Sequence, residues 1–487
     1  MVYVRLVGHD FKYEVGELVK LFFFSEKIGF VEDHVEAEES CILIENSISG
    51  DGKLSETVIY LDGEVVSREV EDISSIDMLE LDEKKQLKTG IKKSIYKAIA
   101  KLKSRKTPWG ILTGIRPTKI IHSLTEKDRT VPEIKSLLAR EYLVSDEKIA
   151  LIDGIAETER QYIYPLDKDR YSIYISIPFC PTRCVYCSFP SNSLNGELQV
   201  PEVYVDRLIE EVRGTMPMLE GKRIHTVYIG GGTPTTLSPS QISRVMEEVY
   251  RYFGREEIAE FTVEAGRPDT ITGEKLRVMK SYGVNRISIN PQTMNRATLA
   301  AIGRSHSPKD IVDSFELARE IGFENINMDI IVGLPGEGEA EVAHTMDEIE
   351  KLKPENLTVH TMAVKRSSKL KEEIESYNLA EQMQIERMLE ITRHSAGDMG
   401  MQPYYMYRQK QILGNFENIG YALPERECIY NIMMMEEKET IMAFGAGAIS
   451  KVYYPYEDRF ERVPNVKNLD DYIGRVAEMV ERKKLFK

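Results

Sequence analysis

From residue 171 onward, short apolar or alternating runs recur between amphipathic stretches. Six of them, "YSIYISIP", "HTVYIGGG", "EFTVEA", "RISINPQ", "NINMDIIVGLP" and "NLTVHTMAV", have the length and composition of β-strands. Between them lie helical patterns such as "VPEVYVDRLIEEVRGTM", "SPSQISRVMEEVYRYF", "TGEKLRVMKSYG", "SPKDIVDSFELAREIG" and "EAEVAHTMDEIEKL". Strand alternating with helix implies parallel βαβ units, and six units fit an α/β fold built on an incomplete (β/α)6 barrel. The stretch before it mixes elements without that rhythm. There "ESCILIEN" and "ETVIYLDGEVVSREV" read as a hairpin-like β segment around Gly-Asp-Gly. After about 370 the text is helical ("AEQMQIERMLEITRHSAGDM") and then irregular and aromatic-rich. The expected organisation is an N-terminal α+β accessory domain over 1–168, the barrel over 169–370, and a small, mostly helical C-terminal domain over 371–487.

Composition narrows the class. The chain has 487 residues, 42% hydrophobic and 29% charged, as in globular proteins of two or three domains. No apolar run approaches the roughly 18–20 residues of a membrane span, and "MVYVRLVGHDFKYE" lacks a signal-peptide pattern. A cytoplasmic enzyme without membrane attachment is the expectation. A net charge of −15 disfavours general nucleic-acid binding. Lys84 to Thr125, however, holds twelve Lys and Arg and no acid, with Leu87, Ile91, Ile95, Ile99 and Leu102 at helical spacing. This basic helix is either a charged face packed within its own domain or a docking surface for an acidic partner or RNA. The "TPWGILTGIRPTK" stretch after it, with Trp109, Arg116 and Lys119, reads as an ordered loop.

Three of the five cysteines, Cys180, Cys184 and Cys187, form C-x3-C-x2-C just after the first barrel strand. Cys41 and Cys428 are isolated, so reduced thiols rather than a disulfide framework are expected. Thiolates suit zinc or iron–sulfur clusters, but no Cys or His follows until His225 to complete a zinc site. A four-iron cluster held by three cysteines keeps one iron open for an exogenous ligand. Other strand ends carry Gly230-Gly231-Gly232-Thr233-Pro234, Glu264 and Gln292, and glycines admit a close ligand. Asp329 lies inside an apolar run, where an unpaired carboxylate is costly, so a ligand contact is expected. Arg304 can supply a charge-assisted bond to a carboxylate.

These residues together resemble the radical S-adenosylmethionine (SAM) superfamily: the cysteine motif on the first barrel loop, Tyr186 before its last cysteine, and the GGGTP strand end. In that superfamily the open iron binds SAM, and reduction of the cluster yields a 5′-deoxyadenosyl radical. "YISIPFC", "GGGTP", "NMDIIVGLP" and "FGAGAIS" are further similar to the oxygen-independent coproporphyrinogen III dehydrogenase family of HemN, HemW and HemZ types. The N-terminal extension and "PYYMYRQKQILGNFENIGYA" resemble the HemZ branch. The resemblance implies a [4Fe–4S] cluster on Cys180, Cys184 and Cys187, which with Tyr174 form the catalytic set. SAM contacts carry over to Tyr174, Gly231, Gly232, Thr233, Glu264, Gln292, Arg304, Asp329, Ala363 and Ile449. Tyr186 matches the aromatic beside a second SAM, so one or two SAM molecules are implied. Ser176 stands where HemN enzymes have histidine, Asn290-Pro291 where they have glycine-valine, and Phe189 where a further cysteine is found.

The implied reaction converts two propionates of coproporphyrinogen III to vinyl groups, with flavodoxin or ferredoxin as low-potential electron donor. Lys365, Arg366, Lys369, Arg408 and Lys410 are either candidate cations for the anionic substrate or solvated loop charges, and Tyr404, Tyr405 and Tyr407 either face a flat macrocycle or pack a domain interface. Competing readings are a HemW-like haem chaperone, a haem-modifying radical SAM enzyme, and tRNA modification, the last disfavoured by charge. "CIYNIMMMEE" keeps Asn431 but lacks the HemW histidine and tryptophan, leaving Cys428 or Met433 as haem ligands in that reading.

Overall fold

The computed structural model describes residues 1–23, 26–32, 41–79, 82–114, 116–188, 192–193, 199–363, 382–409 and 416–484. They form two compact units, Met1–Ala156 and Glu157–Lys487.

In the first unit, β1 (Val2–Val7), β2 (Ile28–Val31), β3 (Ile42–Ser49), β4 (Leu54–Leu61) and β5 (Glu64–Asp72) make one sheet, ordered β2-β1-β3-β4-β5. The hairpin expected around Gly-Asp-Gly is β3–β4, with Gly50 and Gly52 at positive φ in the turn. Helix Glu83–Leu102 begins where the Asp82 carboxylate accepts the Lys85 N–H at 2.9 Å, and it buries Ile91, Ile95 and Ile99. Its lysines meet acids of the same unit. Lys93, only 8% exposed, lies 2.6 Å from Glu71 and 2.9 Å from Glu141. Lys97 pairs with Glu71, Lys101 with Glu69 and Lys88 with Glu14. These pairs account for much of the basic run as packing within the unit. Trp109 is fully buried, and Gly110 at φ +51 leaves no room for a Cβ against the Tyr142 and Leu143 carbonyls. The loop after the helix is therefore a core-packing turn.

The second unit carries β6 (Arg170–Ile177), the two-residue strands β7 (Phe179–Cys180) and β8 (Asn192–Ser193), β9 (Arg223–Gly231), β10 (Glu260–Gly266), β11 (Arg286–Ile289), β12 (Ile326–Val332) and β13 (Asn356–Thr361). They are followed by β14 (Gln402–Tyr407), β15 (Asn418–Ala422), β16 (Thr440–Phe444), β17 (Ile449–Tyr454) and β18 (Arg459–Pro464). The six strands expected from the alternation are β6 and β9 to β13, all parallel neighbours. They sit in an eleven-stranded sheet ordered β14-β15-β13-β12-β11-β10-β9-β6-β16-β17-β18, and no ladder among the described residues joins β14 to β18. The barrel is open, as expected.

The region after 371 differs from a mostly helical domain: β14 to β18 all join this sheet, and β16 lies parallel to β6. The apolar run "TIMAF" follows a helical Met-rich stretch, and a run that short does not distinguish strand from helix by periodicity. Pairing with β6 decides it.

Helices Pro239–Tyr250 and Pro308–Ile321 start with Ser238 and Ser307 caps closed by Gln241 and Asp310. Ile229 and Val263 from the sheet meet Ile242, Val245, Met246 and Met279 from helices around one small apolar cavity, which marks the outer layer. Along each strand the other side is different. Tyr174, Tyr228, Glu264, Asn327, Asp329 and His360 are half-buried, between fully buried apolar neighbours such as Ile173, Val227, Met328 and Val359. The period-two alternation therefore puts apolar residues on the helices and polar ones on the inner face. Among the described residues no helix is long and apolar enough to cross a membrane.

Candidate cofactor site at the strand ends

The ladder of β7 with β8 begins directly after β6 and sets the course of the cysteine loop. Cys184 is buried, Cys180 and Cys187 are half-buried, and all three are free thiols. The Cys187 N–H donates to the Cys184 carbonyl at 3.1 Å, which folds the motif back on itself. Arg267, 3% exposed, grips the loop from the end of β10, donating to Thr182 O at 3.1 Å and Thr182 Oγ1 at 2.8 Å. Asp269 holds that guanidinium through two bonds of 3.0 and 2.9 Å. From the other side, the Val185 N–H donates to Ile302 O at 3.2 Å and Thr182 Oγ1 to Gly303 O at 3.0 Å.

The glycine run at the end of β9 is required by contact with this loop. A Cβ on Gly232 would lie 2.5 Å from Phe179 O and 3.0 Å from Cys180 Sγ. One on Gly230 would lie 2.9 Å from the Glu264 carboxyl, and Gly231 has φ +108 against Ser176 Oγ. The Gly232 and Thr233 N–H groups donate to Ile177 O and Phe179 O, each at 2.8 Å, and Thr233 Oγ1 donates to Cys180 Sγ at 3.6 Å.

Behind the loop, Tyr228 donates its hydroxyl to Glu264 Oε1 at 2.7 Å. Burial pushes Glu264 up to about 7, with the Tyr228 bond opposing it and the Asp329 charge adding to it. Burial works the same way on Asp329, but His360, Asn327 and Thr358 outweigh it and hold that carboxyl below its usual range. Asn327 Nδ2 donates to Asp329 Oδ1 at 2.7 Å, and His360 Nε2 lies 3.8 Å from Oδ2. Two neighbouring carboxyls thus differ in proton affinity.

Gln292 takes φ +66, a left-handed conformation unfavourable for a residue with a side chain. Its N–H donates to Asp329 O at 2.9 Å and its carbonyl accepts from Ile331 at 3.0 Å, so β12 enforces the strain. Buried Arg304 donates to Asn290 O at 2.7 Å and to Tyr186 Oη at 3.4 Å, while its Nε has no hydrogen-bond partner among the described residues. Ala363 is buried just past β13, and Ile449, 41% exposed, opens β17.

Two aromatic residues of this face lie outside the site residues expected from the sequence. Tyr430 stacks on Tyr228 with ring centroids 4.4 Å apart, and Tyr174 lies 6.1 Å from both. Tyr228 was legible in principle, because it precedes the glycines on the same strand. Tyr430 comes from a distant helix. Tyr404 and Tyr405 are buried in one cluster with Cys428, Tyr430, Ile432 and Met433, so they pack the core. Tyr407 is half-buried with its hydroxyl 3.3 Å from His360 Nδ1. Arg408 is also buried, and that burial lowers its proton affinity to about 10 against the Glu417 charge. Phe189, Lys365, Arg366, Lys369 and Lys410 lie outside the described residues.

The donor set fits a thiolate-bound iron–sulfur cluster. Burial pushes the Cys180 thiol up, the neighbouring thiols add to this, and only the Thr233 hydroxyl and Arg267 oppose it. Bonding to a soft cation removes that cost.

Residues 174–349 match the family model of the Radical SAM superfamily. The oxygen-independent coproporphyrinogen-III oxidase-like protein HemZ of Bacillus subtilis is 41% identical over 414 residues, 84% of this chain and 83% of that protein. The heme chaperone HemW of the same organism is 33% identical over 310 residues, 63% of this chain and 76% of its own length. The solved structure of coproporphyrinogen III oxidase HemN from Escherichia coli superposes with a TM-score of 0.52 at 23% identity. It covers 67% of this chain and 73% of that one, and shares the fold. An open parallel barrel with a glycine-lined three-cysteine loop defines a radical SAM protein. Within that class the chain belongs to the HemN/HemW family of coproporphyrinogen oxidase-like proteins, HemZ type. Its cofactors are a [4Fe–4S] cluster and SAM.

Proposed function

We propose that the protein catalyses oxygen-independent oxidative decarboxylation of two propionates of coproporphyrinogen III, giving protoporphyrinogen IX. The observation that carries this reading is the convergence of Tyr174, Tyr228, Glu264 and Asp329 on the inner face behind a cysteine loop backed by Gly231 and Gly232. Similarity to a coproporphyrinogen-III oxidase-like protein through 84% of the chain supports it.

In this reading Cys180, Cys184 and Cys187 hold the cluster. When bound, cluster and SAM together supply the radical that takes hydrogen from a propionate. The chain's own residues bind and orient. Gly231, Gly232 and Thr233 admit SAM to the loop. Glu264, with its affinity near neutrality, accepts a hydrogen bond from a cationic amine once it loses its proton. Asp329, already ionised, and Gln292 and Arg304 would offer acceptors and donors for the rest of SAM, with Ala363 and Ile449 as further contacts, and Tyr186 would serve a second SAM. Arg408 is a core cation here, so recognition of the substrate carboxylates falls to other residues. A flavodoxin or ferredoxin is the proposed electron donor.

The HemW match supports a second reading, haem transfer. Both thiol and thioether candidates for it are enclosed: Cys428 Sγ donates to Glu260 Oε1 at 3.2 Å, and Met433 is fully buried. Anaerobically reconstituted protein, given SAM, a low-potential reductant and either coproporphyrinogen III or haem, separates the two readings by product mass. Protoporphyrinogen IX is the expected product. Stoichiometric haem binding without SAM turnover would overturn the first reading in favour of the second.

A further inference from the structure

A fully buried ion pair at the far end of the chain reaches the strand that leads into the cysteine loop. Lys483, in helix Val476–Lys484, lies 2.5 Å from Glu211 Oε1 in helix Gln199–Thr215, and both side chains are 0% exposed. Three further donors complete the carboxylate. Asn465 Nδ2 donates to Oε1 at 2.7 Å, Tyr472 Oη to Oε2 at 2.6 Å, and the Gly445 N–H to Oε2 at 2.8 Å. The Lys483 ammonium also sits 4.6 Å over the Phe444 ring. The turn after β16 is therefore gripped at Phe444 and Gly445.

That turn is fastened in its other direction to β6. Tyr204 Oη donates to Ser176 O at 2.6 Å and accepts the Ala446 N–H at 3.1 Å. Ser176 Oγ donates to Ala446 O at 3.1 Å. Gly445, at φ +98, is the only residue type that fits, since a Cβ there would collide with Tyr204 Oη and Ser176 O. Ser176 in turn sets the space behind Gly231, whose added Cβ would lie 2.9 Å from its Oγ. A chain of contacts thus runs from Lys483 through Glu211 and the Gly445–Ala446 turn to Ser176, and on to the glycines and β6.

A buried ion pair is a poor device for stability, because desolvation offsets most of its attraction, but it fixes geometry sharply when fully hydrogen-bonded. We propose that Glu211 is a positioning residue for SAM. It sets the Gly445–Ala446 turn, and through Tyr204 and Ser176 it sets the ends of β6 and β9 against which SAM is placed. This rests on the site reading above, in which those ends receive SAM.

The test uses full-length, anaerobically reconstituted protein. Wild type, Glu211→Gln and the near-isosteric Tyr204→Phe are compared for iron and sulfide content, thermal melting, SAM affinity, and the electron paramagnetic resonance spectrum of the reduced cluster with and without SAM. Tyr204→Phe removes the hydroxyl bridge while leaving the buried charges paired, so it answers even if Glu211→Gln fails to fold. The expected result is wild-type iron content with SAM affinity lowered about tenfold in Tyr204→Phe, and a weakened SAM-induced spectral change. Wild-type SAM affinity and spectral change in a Tyr204→Phe protein would overturn the proposal and leave the network purely structural. A wild-type cluster whose spectrum does not respond to SAM would instead overturn the site reading, and this proposal with it.

Discussion

Tyr228 and Glu264, on adjacent parallel strands, are joined by a 2.7 Å hydrogen bond directly behind the glycine run. The bond favours the ionised carboxylate, but burial outweighs it, and Glu264 keeps its proton up to about pH 7. Its proton affinity is therefore raised from an ordinary 4.5.

A consequence for stability follows from the sign of that shift. Between pH 4.5 and about 7 the native state holds a proton on Glu264 that the unfolded state has released. Stability from this group is present below the lower value and is lost as pH rises through the upper one. The cofactor-free protein is expected to lose up to about 3 kcal/mol relative to Glu264→Gln across that interval. Urea unfolding of both proteins at the two ends measures it, and a constant difference would show that Glu264 is not shifted. Tyr228→Phe removes the opposing bond, so the loss is expected to extend to higher pH.

Cys184→Ala is expected to abolish the cluster, because two thiolates do not hold four irons in a stable site. Iron and sulfide analysis after anaerobic reconstitution checks this. An intact cluster in that variant would assign the ligands elsewhere.

Gly232→Ala places a methyl group 2.5 Å from Phe179 O and 3.0 Å from Cys180 Sγ, both on β7, whose backbone is held by pairing with β8. Neither neighbour is the free end of a flexible side chain. Cluster content after reconstitution is expected to fall severalfold, by the overpacking that costs roughly 1–3 kcal/mol in a close-packed site. Gly474→Ala, where nothing lies within 4 Å, is the matched control and is expected to retain full content.

Lys93 is shared by two buried carboxylates of the N-terminal unit, whereas Lys101 is 65% exposed beside Glu69. Lys93→Met takes the buried cation from Glu141 and leaves Glu71 to half-exposed Lys97, and is expected to cost about 3 kcal/mol. Lys101→Met is expected to cost under about 1 kcal/mol. Chemical denaturation of the full chain resolves the contrast. Equal small effects would mean that the basic helix is not held by these pairs.

The parts of this protein legible in its sequence are those governed by short-range rules. Strand and helix periodicities locate β6 and β9 to β13 because burying one face imposes a period of two or 3.6 on each segment by itself. The cysteine triplet is legible because its three thiols lie on a single loop, and the glycine run because a close approach leaves room for no other residue. Asp329 stands out for a similar local reason, a carboxyl within an apolar strand.

The rest depends on partners far apart in the chain. "TIMAF" becomes a strand because β6 offers an open edge to pair with. Tyr430 enters the site face because its helix brings its ring onto Tyr228, and Glu211 matters because Lys483, Tyr472, Asn465 and Gly445 converge on it. The sequence leaves Tyr404 and Tyr405 between a surface for a flat ligand and packing, and burial in one cluster with Cys428 and Ile432 decides for packing. The sequence by itself determined the chemistry available to this protein: soft ligands, glycine clearances and a parallel α/β frame. Only the tertiary structure decided which side chains share that chemistry, because contacts between distant segments depend on how whole layers pack and leave no periodic mark in the residues that make them.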